Sequence, residues 1–431
     1  MRISWACAWR ACMLSFFLNG SFVASAAEVQ QPQGELTLAQ AIETALRGNP
    51  ELLASRYELT AAQARILQAG QRLNPELGLE FENFAGSGSV NDVDSLETTL
   101  SLSQVIELGN KRELRRSVAE ADSDLVTIEQ RARQLDVLAE VTRRFIDVVA
   151  AQERTRFSAE SLRLAQQTLD VITSRVEAAR APIAEASRAR IAVTRAQIEE
   201  RQTASALRSA RYALASLWGI AELTFTTASA DLFAFESVQQ FAALITQIER
   251  NPDITRFASQ ARLRDVELRL AQAQARPNLA FNVGVRRFEA GGDNALVAGF
   301  SMPLPFYDRN QGAIRGARVR RAQSDAELQA ALTRTRATLY EVYQEMTTAR
   351  QRAESLRNEA VPQAQTALDQ TRSGYDRGRF SFLELLTAQQ ELLALRAAAI
   401  DAAADYHLLL AELERVTSEP LTTNDLEAPL P

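Results

Sequence analysis

From Asn110 to Trp218 the chain contains no glycine, and its only proline is Pro182. Compact β and α/β domains need turn residues far more often than that, whereas long helices need none. Within the stretch Leu138, Val141, Phe145 and Val148 recur by threes and fours, the spacing of a helix seam. Leu339, Val342 and Met346 repeat it later in the chain. A continuous helix from Leu108 to Ala181 would reach about 110 Å at ~1.5 Å per residue. Helices of that length span a distance rather than enclose a globular core. A soluble coiled-coil spacer would carry the same periodicity, and the pattern alone leaves both open.

The chain is written twice. "RGNPELLASRYELTAAQARILQAGQRLNPELGLEFENF", which starts at Arg47, matches "ERNPDITRFASQARLRDVELRLAQAQARPNLAFNVGVRRF", which starts at Glu249. Asn49-Pro50 falls opposite Asn251-Pro252, and Pro75 opposite Pro277. "SLSQVIELGNKRELR" then faces "SMPLPFYDRNQGAIR", and "VEAARAPIAEASRA" faces "YDRGRFSFLELLTA". The separation stays at roughly 200 residues throughout, which marks an internal duplication. Each copy opens with a helix before Asn-Pro and a second helix after it. A strand pair comes next, then two long helices separated by a short break. The first repeat covers 27–219, with its strand pair at about 75–106 and a hairpin tip near 182. A linker with some β character covers 220–238, and Gly219 can stop the helix before it. The second repeat covers 239–419, with strands at about 277–306 and a tip near 378, and 420–431 is a loose tail.

The strands alternate. Leu77, Leu79 and Phe81 oppose Gly78, Glu80 and Glu82, and Leu96, Leu100 and Leu102 oppose Glu97, Thr99, Ser101 and Ser103. In the second copy Leu279, Phe281, Val283 and Val285 oppose Asn282, Gly284 and Arg286. Leu296, Ala298, Phe300, Met302 and Leu304 oppose Gly299, Ser301 and two prolines. At about 10–13 residues each strand can cross an outer membrane when tilted, with one apolar and one polar face. The alternative is a soluble four-stranded sheet with one buried face, but helices this long do not fold back to cover it. Four strands cannot close a barrel, since single-chain barrels begin at about eight. Open edges are not viable in lipid. The strands are therefore expected to be shared among several protomers, where together they make a pore.

The first 26 residues read as a signal peptide: Arg2 and Arg10 precede an apolar stretch that ends in Ala24-Ser25-Ala26. Both cysteines, Cys7 and Cys12, would leave with it, and neither has a lipid-attachment context. No later run of roughly 18 apolar residues suits a transmembrane helix, so any crossing falls to strands. Lys111 is the sole lysine and the formal charge is -6, a balance that argues against nucleic acid as partner. No catalytic constellation, metal-ligand cluster or cofactor motif appears. His407, the one histidine, reads as a structural or surface residue, and Gly291-Gly292 as a turn.

"GYDRGRFSFLELLTAQQEL" at the second tip, on the duplicated strand and hairpin plan, resembles the TolC-type outer-membrane efflux proteins. "SLSQVIELGNKRELR" and "PLPFYDRNQGAIRGA" are similar to the cobalt–zinc–cadmium resistance, CzcC-like, branch. The resemblance implies a mainly α fold with a β-barrel portion: long α-hairpins forming a periplasmic α-barrel, and four transmembrane strands per protomer, twelve in a homotrimer. It implies an outer-membrane exit duct, with no enzymatic activity, that works with a periplasmic adaptor and a proton-driven inner-membrane pump of the resistance–nodulation–division class. Divalent metal ions are the implied cargo. Drugs, a secreted polypeptide, or a periplasmic adaptor or scaffold role remain alternatives. Adaptor docking carries over onto Ala181, Pro182 and Ile183, and onto Gly378, Arg379, Phe380 and Ser381. A periplasmic gate carries over onto Glu384 and Tyr375. The second acidic position of that gate falls on Thr387, which is uncharged. An exposed Phe380-Ser381-Phe382 suits a docking surface, although Phe382 suits a core equally, and Glu384 could simply face solvent. Glu80, Glu82, Glu97, Asn282 and Arg286 are the expected pore-lining strand positions.

Overall fold

The computed structural model describes residues 34–85, 87–88, 93–219, 225–236 and 238–419. The expected signal peptide, the tail from 420 onward and Gly86 of the first strand turn lie outside them.

Chain order repeats one plan twice. In the first copy α1 (Leu38–Gly48) and α2 (Pro50–Ala69) lead to strands β2 (Glu76–Glu82) and β3 (Glu97–Ile106). Helix α3 (Lys111–Glu177) and its returning partner α4 (Ile183–Ser216) come next. In the second copy α5 (Phe241–Gln247) and α6 (Pro252–Gln274) lead to β5 (Leu279–Phe288) and β6 (Asn294–Ser301). Helix α7 (Gln311–Ser355) then runs through a π-helical turn, Leu356–Ala360, into α8 (Val361–Asp376), and α9 (Phe382–Thr417) returns. With 67 residues, α3 is about 100 Å long. One further sheet joins β4 (Phe225–Ala228), within the linker expected to have some β character, to β1 (Gly34–Leu36), which the sequence pattern does not mark; the two pair in parallel.

The main sheet runs β2-β3-β5-β6, with every neighbouring pair antiparallel. The ten residues of β3 and of β5 extend roughly 33 Å, hence ~25 Å of height at the tilt of an outer-membrane barrel. β2 and β6 are shorter, at seven and eight residues. Met302 and Leu304, expected in the fourth strand from their alternation, lie beyond its end, where Pro303 and Pro305 supply no backbone N–H for a ladder.

Above the middle of the molecule the helices lie in the order α2-α3-α6-α7, matching the strands they join. Below it the order is α4-α3-α9-α8. The long helices pass through both levels, and each shorter helix stacks end to end on another. The duplicated Asn-Pro makes these splices. Asn49 Oδ1 accepts from the N–H groups of Glu51 and Leu52 and caps α2, while its Nδ2 donates to Leu217 O at the end of α4, at 2.7 Å. Asn251 does the same for α6 and α9, accepting from Asp253 N and donating to Arg415 O and Val416 O at 3.1 and 2.8 Å. Proline at the first helical position lacks only an N–H that would have no helical partner there. One side chain thus satisfies orphan groups at two helix ends, and both asparagines are buried.

Two apolar clusters surround this middle level. One gathers Leu36, Val141, Phe145, Val148, Leu214, Trp218 and Phe225. The other gathers Leu244, Ile248, Leu339, Val342, Met346, Tyr406 and Leu413. The linker is strapped across them by side chains of several helices. Gln152 holds the main chain of Ala228, Arg350 and Tyr406 donate to Glu236 O, Arg357 donates to Phe233 O, and His407 bonds Leu232 O.

Candidate functional site

At the lower ends of the hairpins the chain reverses twice, and the two reversals share one hydrogen-bond scheme. In the second, Gly378 adopts φ +74°, its N–H donates to Tyr375 O, and the N–H of Arg379 donates to Gly374 O. In the first, Ala179 takes the same place at φ 56°, with Ala179 N bonded to Val176 O and Arg180 N to Arg175 O. This left-handed closure ends α3 at Glu177, ahead of Pro182. Pro182 instead occupies the N-cap of α4. A left-handed alanine costs about 1 kcal/mol that glycine avoids.

The two tips are joined. Tyr375 is only 5% exposed and its hydroxyl donates to Glu185 Oε2 of α4 at 2.9 Å. The Arg175 guanidinium of α3 lies 4.4 Å from its ring centroid. Burial and the Glu185 carboxylate push the Tyr375 phenol up to about 12. Around it Ile172, Ala186, Leu368, Phe382, Leu385 and Leu392 form an apolar cluster drawn from both hairpins. Phe382 is 2% exposed and therefore a core residue, not a docking one.

Ser381 opens α9 with a reciprocal cap. Its Oγ accepts from Glu384 N at 3.3 Å, and Glu384 Oε2 accepts from Ser381 N at 2.6 Å. Donation to that carboxylate from the Ser381 N–H, foremost, and from the Ser381 hydroxyl at 2.8 Å holds the Glu384 carboxyl below the usual carboxylate range. Glu384 is therefore ionised, exposed and oriented by its own helix start. Thr387 lies one turn further along, with its hydroxyl bonded to Leu383 O. Pro182, Ile183, Gly378, Arg379, Phe380 and Ser381 are exposed at the end of the molecule, with Ala181 partly covered. Ile183 (76% exposed) and Phe380 (44%) give this end an apolar surface. The Phe380 ring rests on Gly374, where an added Cβ would stand 2.1 Å from Phe380 Cδ2.

On the sheet, cross-strand register puts Leu79, Leu100, Val285 and Leu296 in one row, and Leu77, Leu102, Val283 and Ala298 in the next. All four strands therefore contribute to one apolar face, and its large side chains are exposed on a single protomer. Glu80, Thr99 and Arg286 align on the opposite face, as do Ser103, Asn282 and Gly299. Arg286 bridges three strands there, reaching Glu82 at 2.7 Å, Glu97 at 2.9 Å and the Thr99 hydroxyl at 2.9 Å. All five expected pore-lining residues share this polar face.

Several contacts have no sequence signal. Between the hairpins, α3 and α9 run antiparallel along a polar seam. Asp136 pairs with Arg415 (2.6 Å), Arg143 with Glu412 (3.0 Å), Arg154 with Asp401 (2.6 Å) and Glu160 with Arg396 (3.3 Å). The Gln389 amide donates to the Thr168 hydroxyl at 3.0 Å. The exposed pairs among these contribute about 0–1 kcal/mol each, beside an apolar cluster in which Val141, Phe145 and Val148 of α3 join Ile400, Ala403 and Ala404 of α9. The dual reach of the two asparagines is also absent from the sequence reading, although an Asn cap before Pro is legible there. Nothing local marks Glu185 as the partner of Tyr375. Among the described residues no group of three or more His, Cys, Asp or Glu could hold a metal ion. His407 stacks on Phe235 and bonds the linker, and burial lowers the pKa of its imidazole. No helix among the described residues is long and apolar enough to cross a membrane.

This geometry has counterparts among known proteins. The family model described as outer membrane efflux protein matches residues 41–220 and 245–419. The chain is similar to the cobalt-zinc-cadmium resistance protein CzcC of Cupriavidus metallidurans, 29% identical over 369 residues, covering 85% of this chain and 86% of that protein. It is also similar to the pyoverdine export outer membrane protein OpmQ of Pseudomonas aeruginosa, 24% identical over 405 residues, covering 85% of this chain and 82% of that one. Its fold superposes on a crystal structure of CusC with a TM-score of 0.76 at 17% identity, covering 90% of this chain and 95% of that chain.

Proposed function

The chain belongs to the outer membrane efflux protein family, and from that premise we propose that it passes divalent metal cations such as cobalt, zinc or cadmium out of the cell. It is an outer-membrane exit duct that extends into the periplasm. In our reading three copies of the four-stranded sheet close a twelve-stranded barrel, because one sheet has two open edges that lipid cannot satisfy. The apolar face then meets lipid, while Glu80, Glu82, Glu97, Asn282 and Arg286 line the water-filled bore. The long helices continue the bore through the periplasm towards an adaptor and a proton-driven pump of the resistance–nodulation–division class. Pro182, Ile183, Arg379 and Phe380 offer that adaptor an exposed apolar and basic end.

The observation that carries the cargo reading is the likeness to CzcC along most of both chains. Its test is growth of a strain lacking the gene across zinc, cobalt, cadmium, nickel, copper and common drugs. Sensitivity confined to divalent metals and reversed by the wild-type gene supports metal efflux. The likeness to OpmQ favours a second reading, an organic small molecule as cargo, which drug sensitivity without metal sensitivity would establish.

The gate reading rests on Glu384, the exposed carboxylate held at the start of α9. Three such groups around one axis would concentrate cations. Glu384→Gln is expected to lower the cation preference of the open pore, measured as reversal potential across a planar bilayer. An unchanged potential removes Glu384 from the gate.

A further inference from the structure

The rungs between α3 and α9 are unevenly spaced. Between the Glu160–Arg396 and Thr168–Gln389 rungs lies a cavity of about 110 Å³, walled by α3, α8 and α9. On its upper side α7 passes into α8 through the π-helical turn Leu356–Ala360, with Pro362 at the start of α8. A π turn inserts a residue into the helix and rotates the turns beyond it, and such turns occur frequently at functional sites. Gln365, Leu368, Asp369 and Arg372, the α8 residues that line the cavity, lie on the turns that follow it.

The lining is charged and unevenly balanced. Arg163, Arg372 and Arg396 face it together with Glu160 and Asp369, which leaves one positive charge in excess. Glu160 is already engaged by Arg396 at 3.3 Å, and Asp369 accepts from the Gln365 amide at 3.2 Å. Among the described residues, neither Arg163 nor Arg372 has an ion-pair partner within 4.0 Å. Phe157, Leu368 and Leu392 complete the wall, and Arg163 and Arg372 are both exposed on the single chain, so water reaches their charges.

We propose that this cavity is a binding site for a small monovalent anion, chloride or a short carboxylate, held between Arg163 of α3 and Arg372 of α8. At roughly 30 Å³ per water, the space suits such an anion with one or two waters. The bound anion links α3 to α8 and so fastens the first hairpin to the second. It therefore favours the arrangement in which the tips are joined. The site lies next to the tip cluster, with which it shares Leu368 and Leu392, and it does not depend on the cargo reading.

The direct test uses crystals of the full-length assembled protein soaked in sodium bromide. An anomalous peak between Arg163 and Arg372 is expected. No peak there in crystals that show bromide elsewhere, or a neighbouring subunit's side chain filling the space, overturns the proposal. In solution, thermal unfolding is measured at constant ionic strength while chloride replaces gluconate, which is too large for the cavity. Chloride is expected to raise the midpoint, and acetate to substitute for it. In the Arg163→Gln, Arg372→Gln double variant the half-saturating chloride concentration should rise about tenfold or more, as the loss of charged hydrogen bonds implies. Arg190→Gln, an exposed change on α4, should leave it unmoved. An identical chloride response in the double variant and the wild type refutes the site.

Discussion

Replacing Tyr375 with phenylalanine removes a single atom, the oxygen whose proton is donated to Glu185 at 2.9 Å. The ring keeps its packing beside Phe382 and its contact with the Arg175 guanidinium. A hydrogen bond to a charged acceptor contributes about 1.5–3 kcal/mol, and the partial exposure of Glu185 brings the figure to about 1–2 kcal/mol. That is roughly a tenfold weakening of the link between α8 and α4 in each protomer. If the protomers of a trimer release together, the factors multiply to about a thousandfold, whereas independent release keeps the change near tenfold. The assay is the fraction of time that single pores in planar bilayers spend open at fixed voltage and salt. Tyr375→Phe should raise it, Glu185→Gln should raise it less because a neutral acceptor remains, and the double variant should add nothing further. An open fraction unchanged by Tyr375→Phe, or single effects that simply sum in the double variant, would refute the reasoning. The pH dependence has a definite sign. The neutral phenol is the donor and its folded pKa is raised from 10.0 to about 12, so the contact is complete below pH 10 and is lost as pH rises through 12. Opening should be flat from neutrality to about pH 10 and should then increase.

Other parts of the molecule respond to single substitutions in equally definite ways. Asn251→Ala removes a helix cap and leaves Arg415 O and Val416 O without their donor, at about 2 kcal/mol. Hydrogen exchange at the first turn of α6 should accelerate by roughly thirtyfold, and unchanged protection would show that the splice is not held by this side chain. Ala179→Gly relieves a left-handed alanine and should stabilise the first tip by about 0.5–1 kcal/mol, slowing exchange in the peptide that covers residues 174–181. Leu100→Arg puts a charge on the apolar strand face and should cost about 2–4 kcal/mol, lowering the amount that stays with outer membranes after a urea wash. Glu80→Arg, on the polar face, should remain with the membranes.

Much of the fold is legible in the sequence because it is local. The missing glycines and the three-and-four spacing mark the long helices, strict alternation marks the strands, and repetition of Asn-Pro and of the tip motifs marks the duplication. Limits appear where local signals compete. Pro182 looks like the end of α3, yet the left-handed Ala179 stops the helix first. Prolines 303 and 305 end the fourth strand earlier than its apolar alternation suggests. Phe382 is indistinguishable from an exposed tip residue until the first hairpin packs against it.

The long helices, the four strands of the main sheet, their order, their twofold repetition and the apolar strand face are all written locally, because each depends on residues a few positions apart. The partners are fixed by packing. Tyr375 with Glu185, the rungs between α3 and α9, the reach of Asn49 to Leu217 and the pairing of β1 with β4 all join residues far apart in the chain. With 48 basic and 54 acidic side chains on similar helices, composition allows many pairings. Which of them form is set by helix lengths, by where each helix ends and by the rotation of one helix against the next. Those quantities exist only once the hairpins have packed.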